Sequence, residues 1–153
     1  MAKAYYSTVL DHSADEVWSV IRMFDHYSWA GVKAETIIED GRKGDQVGSV
    51  RRVDTGARIL RQNLRAHSDA ERSYSYGFVG EPSIPVQDFA ATIRVTPVTD
   101  TARAFVEWWA TFDCELAERD RIVKQLETGG FAVWLGALRQ FMAADLGGRA
   151  GLT

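Results

Sequence analysis

The sequence predicts a single α+β domain in which a curved antiparallel sheet wraps a long C-terminal helix. Three observations predict it. Residues 32 to 115 alternate β-rich runs with short turns, the signature of an antiparallel meander. A helix-start phrase, Ser13-Ala14-Asp15-Glu16, directly follows the first β-rich run. From Leu116 to Leu146 apolar residues recur at helical spacing.

Ala4 to Asp11 (AYYSTVLD) is rich in β-formers and reads as the first strand. The Ser13 hydroxyl can accept from a free helix N–H and Glu16 can reach back to another; Val17, Trp18, Val20 and Ile21 then form an apolar stripe. Phe24 to Ala30 (FDHYSWA) is a second short helix or turn that stops at Gly31. Six further strands follow: Val32 to Glu39, Gly48 to Asp54, Ala57 to His67, Arg72 to Val79, Val86 to Thr96 and Ala102 to Glu115. The final helix carries Ile122, Leu126, Phe131, Trp134, Leu138, Phe141 and Met142 on one face. Gly129-Gly130 interrupts it. Two adjacent glycines cost roughly 2 kcal/mol of helix propensity against alanine, so something must compensate. The domain is expected over residues 1–147, with 148–153 as a flexible tail.

Composition excludes several classes of function. The chain has 153 residues, 46% hydrophobic and 25% charged, enough for one core without disulfides or metals. Its net charge of −3 argues against a nucleic-acid binder. The basic stretch from 41 to 65 reads as a solvated, charge-paired sheet face. Gly41-Arg42-Lys43-Gly44 has the GxxG letters of an RNA-binding loop, but strands rather than helices flank it, and it lacks the Gly-Lys-Ser/Thr of a phosphate loop. Cys114 is the only cysteine, which rules out an intrachain disulfide and Cys-rich zinc sites and suits a reducing cytoplasm. His12, His26 and His67 lie at three element ends with no metal-binding spacing. No metal or cofactor is therefore expected. No apolar run approaches the ~20 residues of a membrane span, and the first residues lack a signal-peptide core.

Local phrases agree with a known group. Ser13-Ala-Asp-Glu-Val-Trp18, Gly48-Ser-Val-Arg-Arg52, Tyr74-Ser-Tyr76, the run from Val86 to Pro97 and Trp108-Trp-Ala-Thr-Phe-Asp113 fall in the order strand, two helices, six strands, helix. In this the chain resembles the START-like, helix-grip superfamily (SRPBCC), which includes the polyketide cyclase/dehydratase family, birch-pollen-allergen-like proteins and plant abscisic-acid receptors. The likeness covers nearly the whole chain. It implies a cavity between the concave sheet face and the last helix, taking a small hydrophobic, lipid-like or polyketide-like molecule.

Alternate residues of a strand share a face, so strand phase names the side chains that would face that cavity. The third strand would offer Ser49, Arg51 and Val53, and the fourth Leu60, Gln62 and Leu64. The fifth would offer Tyr74, Tyr76 and Phe78, and the sixth Phe89, Ala91 and Ile93. Val106, Trp108, Ala110 and Phe112 would come from the seventh, and Leu126, Phe131, Trp134 and Leu138 from the helix. The alternative is that these rings fill a solid core; the hydroxyl and indole groups of Tyr74, Tyr76, Trp108 and Trp134 tip the balance toward a cavity. Arg51 and Gln62 are the candidate polar anchors: Arg51 could pair with a ligand carboxylate, or it could reach water from the sheet edge with its stem on the wall. By analogy with the receptors, Asp54-Thr55-Gly56 stands at the gate position and Gly80 to Pro85 at the latch, but the receptors' gate and latch phrases are absent.

Three functions remain open. The first is a carrier of a small apolar or aromatic metabolite. The second is a cyclase/dehydratase-like enzyme, with Tyr74, Tyr76 and His26 as candidate acid–base groups; there is no Gly-x-Ser-x-Gly elbow, and Cys114 lacks an activating partner. The third is an interaction module or homodimer whose contact face carries outward Phe105 and Trp109.

Overall fold

The computed structural model describes residues 1–32 and 35–150. Strand β1 (Ala2–Leu10) leads into α1 (Ala14–Ile21) and a single 3-10 turn, Ser28–Ala30. Six strands follow: β2 (Glu35–Ile38), β3 (Val50–Asp54), β4 (Ile59–Ser68), β5 (Ser73–Phe78), β6 (Gln87–Val98) and β7 (Arg103–Asp113). The C-terminal element comprises a 3-10 turn (Leu116–Glu118), α2 (Arg119–Leu126), one π-helical turn (Glu127–Phe131) and α3 (Ala132–Ala150).

The sheet runs β1-β7-β6-β5-β4-β3-β2, with every pair antiparallel. Short turns make β2 to β7 a meander, and the segment containing α1 carries the chain from one sheet edge to the other. Register breaks between Leu64 and Ala66 and between Gln87 and Ala90 bend the layer, as β-bulges do. Asp88 lies inside the second break at φ 50°, a left-handed conformation that aspartate tolerates better than most residues.

The helix starts as its capping phrase directs: the Ser13 hydroxyl accepts from the Glu16 N–H at 3.1 Å. Glu16 does not complete the reciprocal bond; its carboxylate stands 3.7 Å from His12 Nδ1. Gly31 ends the next turn at φ 76°, where a side chain would be strained.

The strand phases hold. Every expected inward residue of β3 to β7 is buried or half-buried. The outer face is polar and cross-strand paired: Arg94 donates to Glu107 at 3.0 Å, Tyr5 to Glu107 at 2.7 Å, and the Ser75 and Thr92 hydroxyls meet at 2.8 Å. Phe105 and Trp109 do face outward, yet both are half-buried, and the Trp109 ring lies under Lys3 and Arg94, 5.8 Å and 5.3 Å from its centroid. The Trp109 side of the expected apolar face is therefore covered by the chain's own cations.

Two boundaries differ from expectation. The second strand is shorter, Glu35–Ile38; positions 33 and 34 of the expected run lie outside the described residues. Helix α3 continues to Ala150, so positions 148–150 of the expected tail are helical; 151–153 lie outside the described residues. Glycine lowers helix propensity by about 1 kcal/mol without removing a backbone donor, so Gly147-Gly148 need not end the helix. No described helix is long and apolar enough to cross a membrane.

Candidate functional site

The hollow of the sheet is divided in two. One end is solid, filled by the segment after α1. Phe24 packs on Tyr74 and Tyr76, with ring centroids 5.7 Å and 5.8 Å apart, and Trp29 packs on Trp108 at 5.8 Å. The other end holds a cavity of about 360 Å³. That lies near the lower end of the roughly 300–1,000 Å³ usual for small-molecule sites.

Val53, Leu60, Gln62, Tyr76, Phe78 and Phe89 line the cavity from the sheet. Leu126, Phe131 and Trp134 line it from the helical side. All nine were expected there. Arg51, Leu64, Tyr74, Ala91, Val106, Trp108, Ala110 and Leu138 share the inward face and are buried, but none lines the cavity. They belong to the solid half, because Phe24, Tyr27 and Trp29 occupy the space that strand phase alone leaves open. Ser49, Ile93 and Phe112 likewise lie in the packed interior.

His26 is exposed outside the cavity, its Nδ1 2.8 Å from the Val20 carbonyl and its ring against Phe141. It does not line the cavity. Tyr76 alone of the three acid–base candidates reaches the cavity wall.

The wall also contains residues that strand reading misses: Tyr27, Val32, Thr55, Arg58, Ser83, Ile84, Gln125, Gly129 and Gly130. Most lie on loops or turns, where no periodicity points. Thr55 and Arg58 come from the β3–β4 loop, and Ser83 and Ile84 from the β5–β6 loop. The two loops meet where Arg58 Nη1 donates to the Ser83 carbonyl at 3.2 Å. For the glycines a signal existed, the unexplained propensity cost. The pair occupies the π-helical turn and opens the wall. A Cβ on Gly130 would lie 3.2 Å from the Trp134 ring, so the indole uses the space that glycine leaves.

Arg51 is fully buried and stands directly across from Gln62 in the β3–β4 register. Its Nε donates to Gln62 Oε1 at 3.0 Å, Nη2 donates to the same oxygen, and Nη1 donates to the Phe24 carbonyl at 3.1 Å. The guanidinium carbon lies 3.9 Å from the Phe24 ring centroid, 4.1 Å from that of Tyr27 and 5.3 Å from that of Tyr76, an aromatic cage for a cation. No carboxylate among the described residues pairs with it.

Burial holds the nearby phenols protonated. Desolvation pushes Tyr74 up to about 12 and Tyr76 well above the ordinary tyrosine range, and it raises Tyr27; the Arg51 charge opposes each shift without cancelling it. The Tyr76 hydroxyl accepts from Trp108 Nε1 at 3.1 Å, which leaves its own proton free to be donated. Among the described residues, no three His, Cys, Asp or Glu side chains stand close enough to hold a metal ion.

The sequence pattern of the family described as "Polyketide cyclase / dehydrase and lipid transport" matches residues 1–150. The chain belongs to this family. Among solved members of the fold, a solution structure from Thermobifida fusca is 26% identical, covers 91% of each chain and superposes with a TM-score of 0.79. XoxI from Bacillus cereus is 25% identical over 92% of this chain and 94% of its own, with a TM-score of 0.77. Norcoclaurine synthase from Thalictrum flavum, solved with dopamine and hydroxybenzaldehyde, is 17% identical over 93% of this chain and 86% of its own. Its TM-score of 0.68 shows a shared fold. No curated protein matches the chain.

Proposed function

We propose that the protein binds a small, mainly apolar, aromatic-sized molecule in the cavity between the sheet and the π-helical turn. One observation carries this reading. A chain that packs one half of its hollow solid leaves about 360 Å³ open in the other half, behind a mainly apolar wall of six aromatic rings and aliphatic side chains, with Arg58 and Gln62 among its polar groups. An apolar ligand gains about 25 cal/mol for each Å² it removes from water. The volume suits a molecule of a few fused rings better than a long acyl chain or a sterol. The lone cysteine supports action in a reducing compartment such as the cytoplasm.

The test is native mass spectrometry with thermal shift, screening polycyclic phenols, aromatic acids, fatty acids and sterols. We expect fused aromatics to bind and to raise the melting temperature. Leu60→Trp, which fills the cavity from β4, should abolish binding while the protein stays folded. If no compound of any class binds, the carrier reading fails.

The same cavity supports a second reading, a cyclase/dehydratase-type enzyme that folds a reactive chain and donates a proton to it. Tyr76 favours it, being a protonated phenol inside the cavity with its oxygen oriented by Trp108. Tyr76→Phe should leave ligand affinity within a few-fold and remove any turnover of a poly-β-keto substrate. Turnover that survives this substitution excludes Tyr76 as the acid.

A further inference from the structure

We propose that the deep end of the cavity selects a ligand carrying an anionic or strongly electron-rich oxygen, such as a carboxylate, phenolate or enolate, and that Arg51 imposes this choice through Gln62 rather than by touching the ligand. The inference rests on the binding reading above and names the chemistry of the ligand's polar end.

The orientation of Gln62 follows from donor chemistry. A guanidinium has only donors, so an amide that meets two of its N–H groups must present its oxygen to them. Arg51 Nε and Nη2 both donate to Gln62 Oε1, which fixes the side-chain amide the one way round. The amide nitrogen is then turned from the arginine, on a residue that lines the cavity, and the side chain's hydrogen bonds among the described residues run through its oxygen. Two N–H donors are thus available to a ligand. A donor that becomes buried without an acceptor is costly, so an apolar ligand end that covers the Gln62 amide is penalised and an acceptor is rewarded.

The electrostatics point the same way. Arg51 is 0% exposed and has no carboxylate partner among the described residues; neutral groups surround its charge, namely ring faces, a carbonyl, an amide oxygen and the Tyr74 hydroxyl. Charges act more strongly in a medium of low dielectric constant than in water. Tyr27, Tyr74 and Tyr76 feel its charge, and burial keeps all three neutral. A ligand oxygen bearing negative charge supplies the counter-charge that the fold omits. Arg51 does not line the cavity and is therefore a positioning residue; Gln62 makes the contact.

The experiment compares two probes of matched shape, 2-naphthoate and 2-isopropylnaphthalene, by fluorescence titration of the full chain at neutral pH. Wild type should bind the carboxylate at least tenfold more tightly. Gln62→Glu keeps an acceptor for Arg51, so folding is retained, but it supplies the missing negative charge internally and removes both donors. That variant should reverse the preference. Gln62→Leu should bring the two affinities within about threefold. Equal binding of both probes by wild type, or a carboxylate preference that survives Gln62→Glu, overturns the inference and leaves the carrier reading standing. Failure of wild type to bind either probe overturns both.

Discussion

Trp108 of β7 and Phe131 of the π-helical turn stack with their ring centroids 5.2 Å apart and their planes 19° from parallel. Both rings are buried, and Trp134 adds a third ring 5.2 Å from Trp108. The contact joins the floor of the sheet to the C-terminal helices at the boundary between the solid half and the cavity. Phe131→Ala should cost about 3–5 kcal/mol in chemical denaturation, the range for truncating a buried aromatic ring. It should also enlarge the cavity and let bulkier ligands bind. A loss below 1 kcal/mol would mean that the ring is not gripped as described.

The two glycines of the turn make opposite predictions. Nothing lies within 4 Å of a Cβ placed on Gly129, so Gly129→Ala should stabilise the protein by about 0.5–1 kcal/mol through helix propensity. At Gly130 the new methyl would press on the Trp134 ring. Gly130→Ala should therefore gain less or lose, and it should change tryptophan fluorescence where Gly129→Ala does not. Thermal melts and emission spectra of the two variants separate these outcomes.

High pH should unfold the protein through its interior phenols. A tyrosine whose proton is held more tightly in the folded state contributes stability that is complete below the unfolded value, about 10, and is lost as pH rises through the folded value. Burial pushes Tyr74 up to about 12 and raises Tyr76 and Tyr27 with it, so stability should fall between pH 10 and 12. Tyrosinate absorbance should rise together with loss of near-ultraviolet circular dichroism. Early, independent ionisation of all the tyrosines in a folded chain would contradict the buried arrangement.

At low pH the relevant pair is Asp69 with α1. Its carboxylate accepts from Arg22 Nε at 3.1 Å and from Trp18 Nε1 at 2.8 Å, which holds the group down at about 2. A lowered carboxylate contributes stability above its unfolded value, about 3.9, and loses it as pH falls toward the folded one. Asp69→Asn should thus destabilise at neutral pH, and the difference from wild type should vanish between about pH 4 and pH 2. The carboxylate is largely exposed and screened, so the neutral-pH loss should stay below about 1 kcal/mol. Urea melts across that pH range check both sign and size.

The architecture was legible because its cues are local and periodic. Alternation in β5 and β7 gives the correct face at each position, and Ser13 caps α1 as its letters indicate. Periodicity says which way a side chain points, but not what waits opposite it. Tyr74 and Tyr76 stand two residues apart on one strand, yet only Tyr76 borders the cavity, because Phe24 and its neighbours fold over the other end of the sheet. Phe24, Tyr27 and Trp29 sit on a segment too short to show a period, so the sequence does not place their rings. The role of Arg51 was hidden for a related reason. Strand phase put it inward, and only the cross-strand register shows Gln62 standing between it and the cavity.

The most direct test of the central claim is a nuclear Overhauser experiment on isotope-labelled protein with bound 2-naphthoate. The account predicts contacts from the naphthalene protons to methyl groups of Val53, Leu60, Ile84 and Leu126, which surround the cavity from four different elements. Contacts confined to outer-face residues such as Tyr5 and Trp109, or none to those methyl groups at saturating ligand, would contradict it.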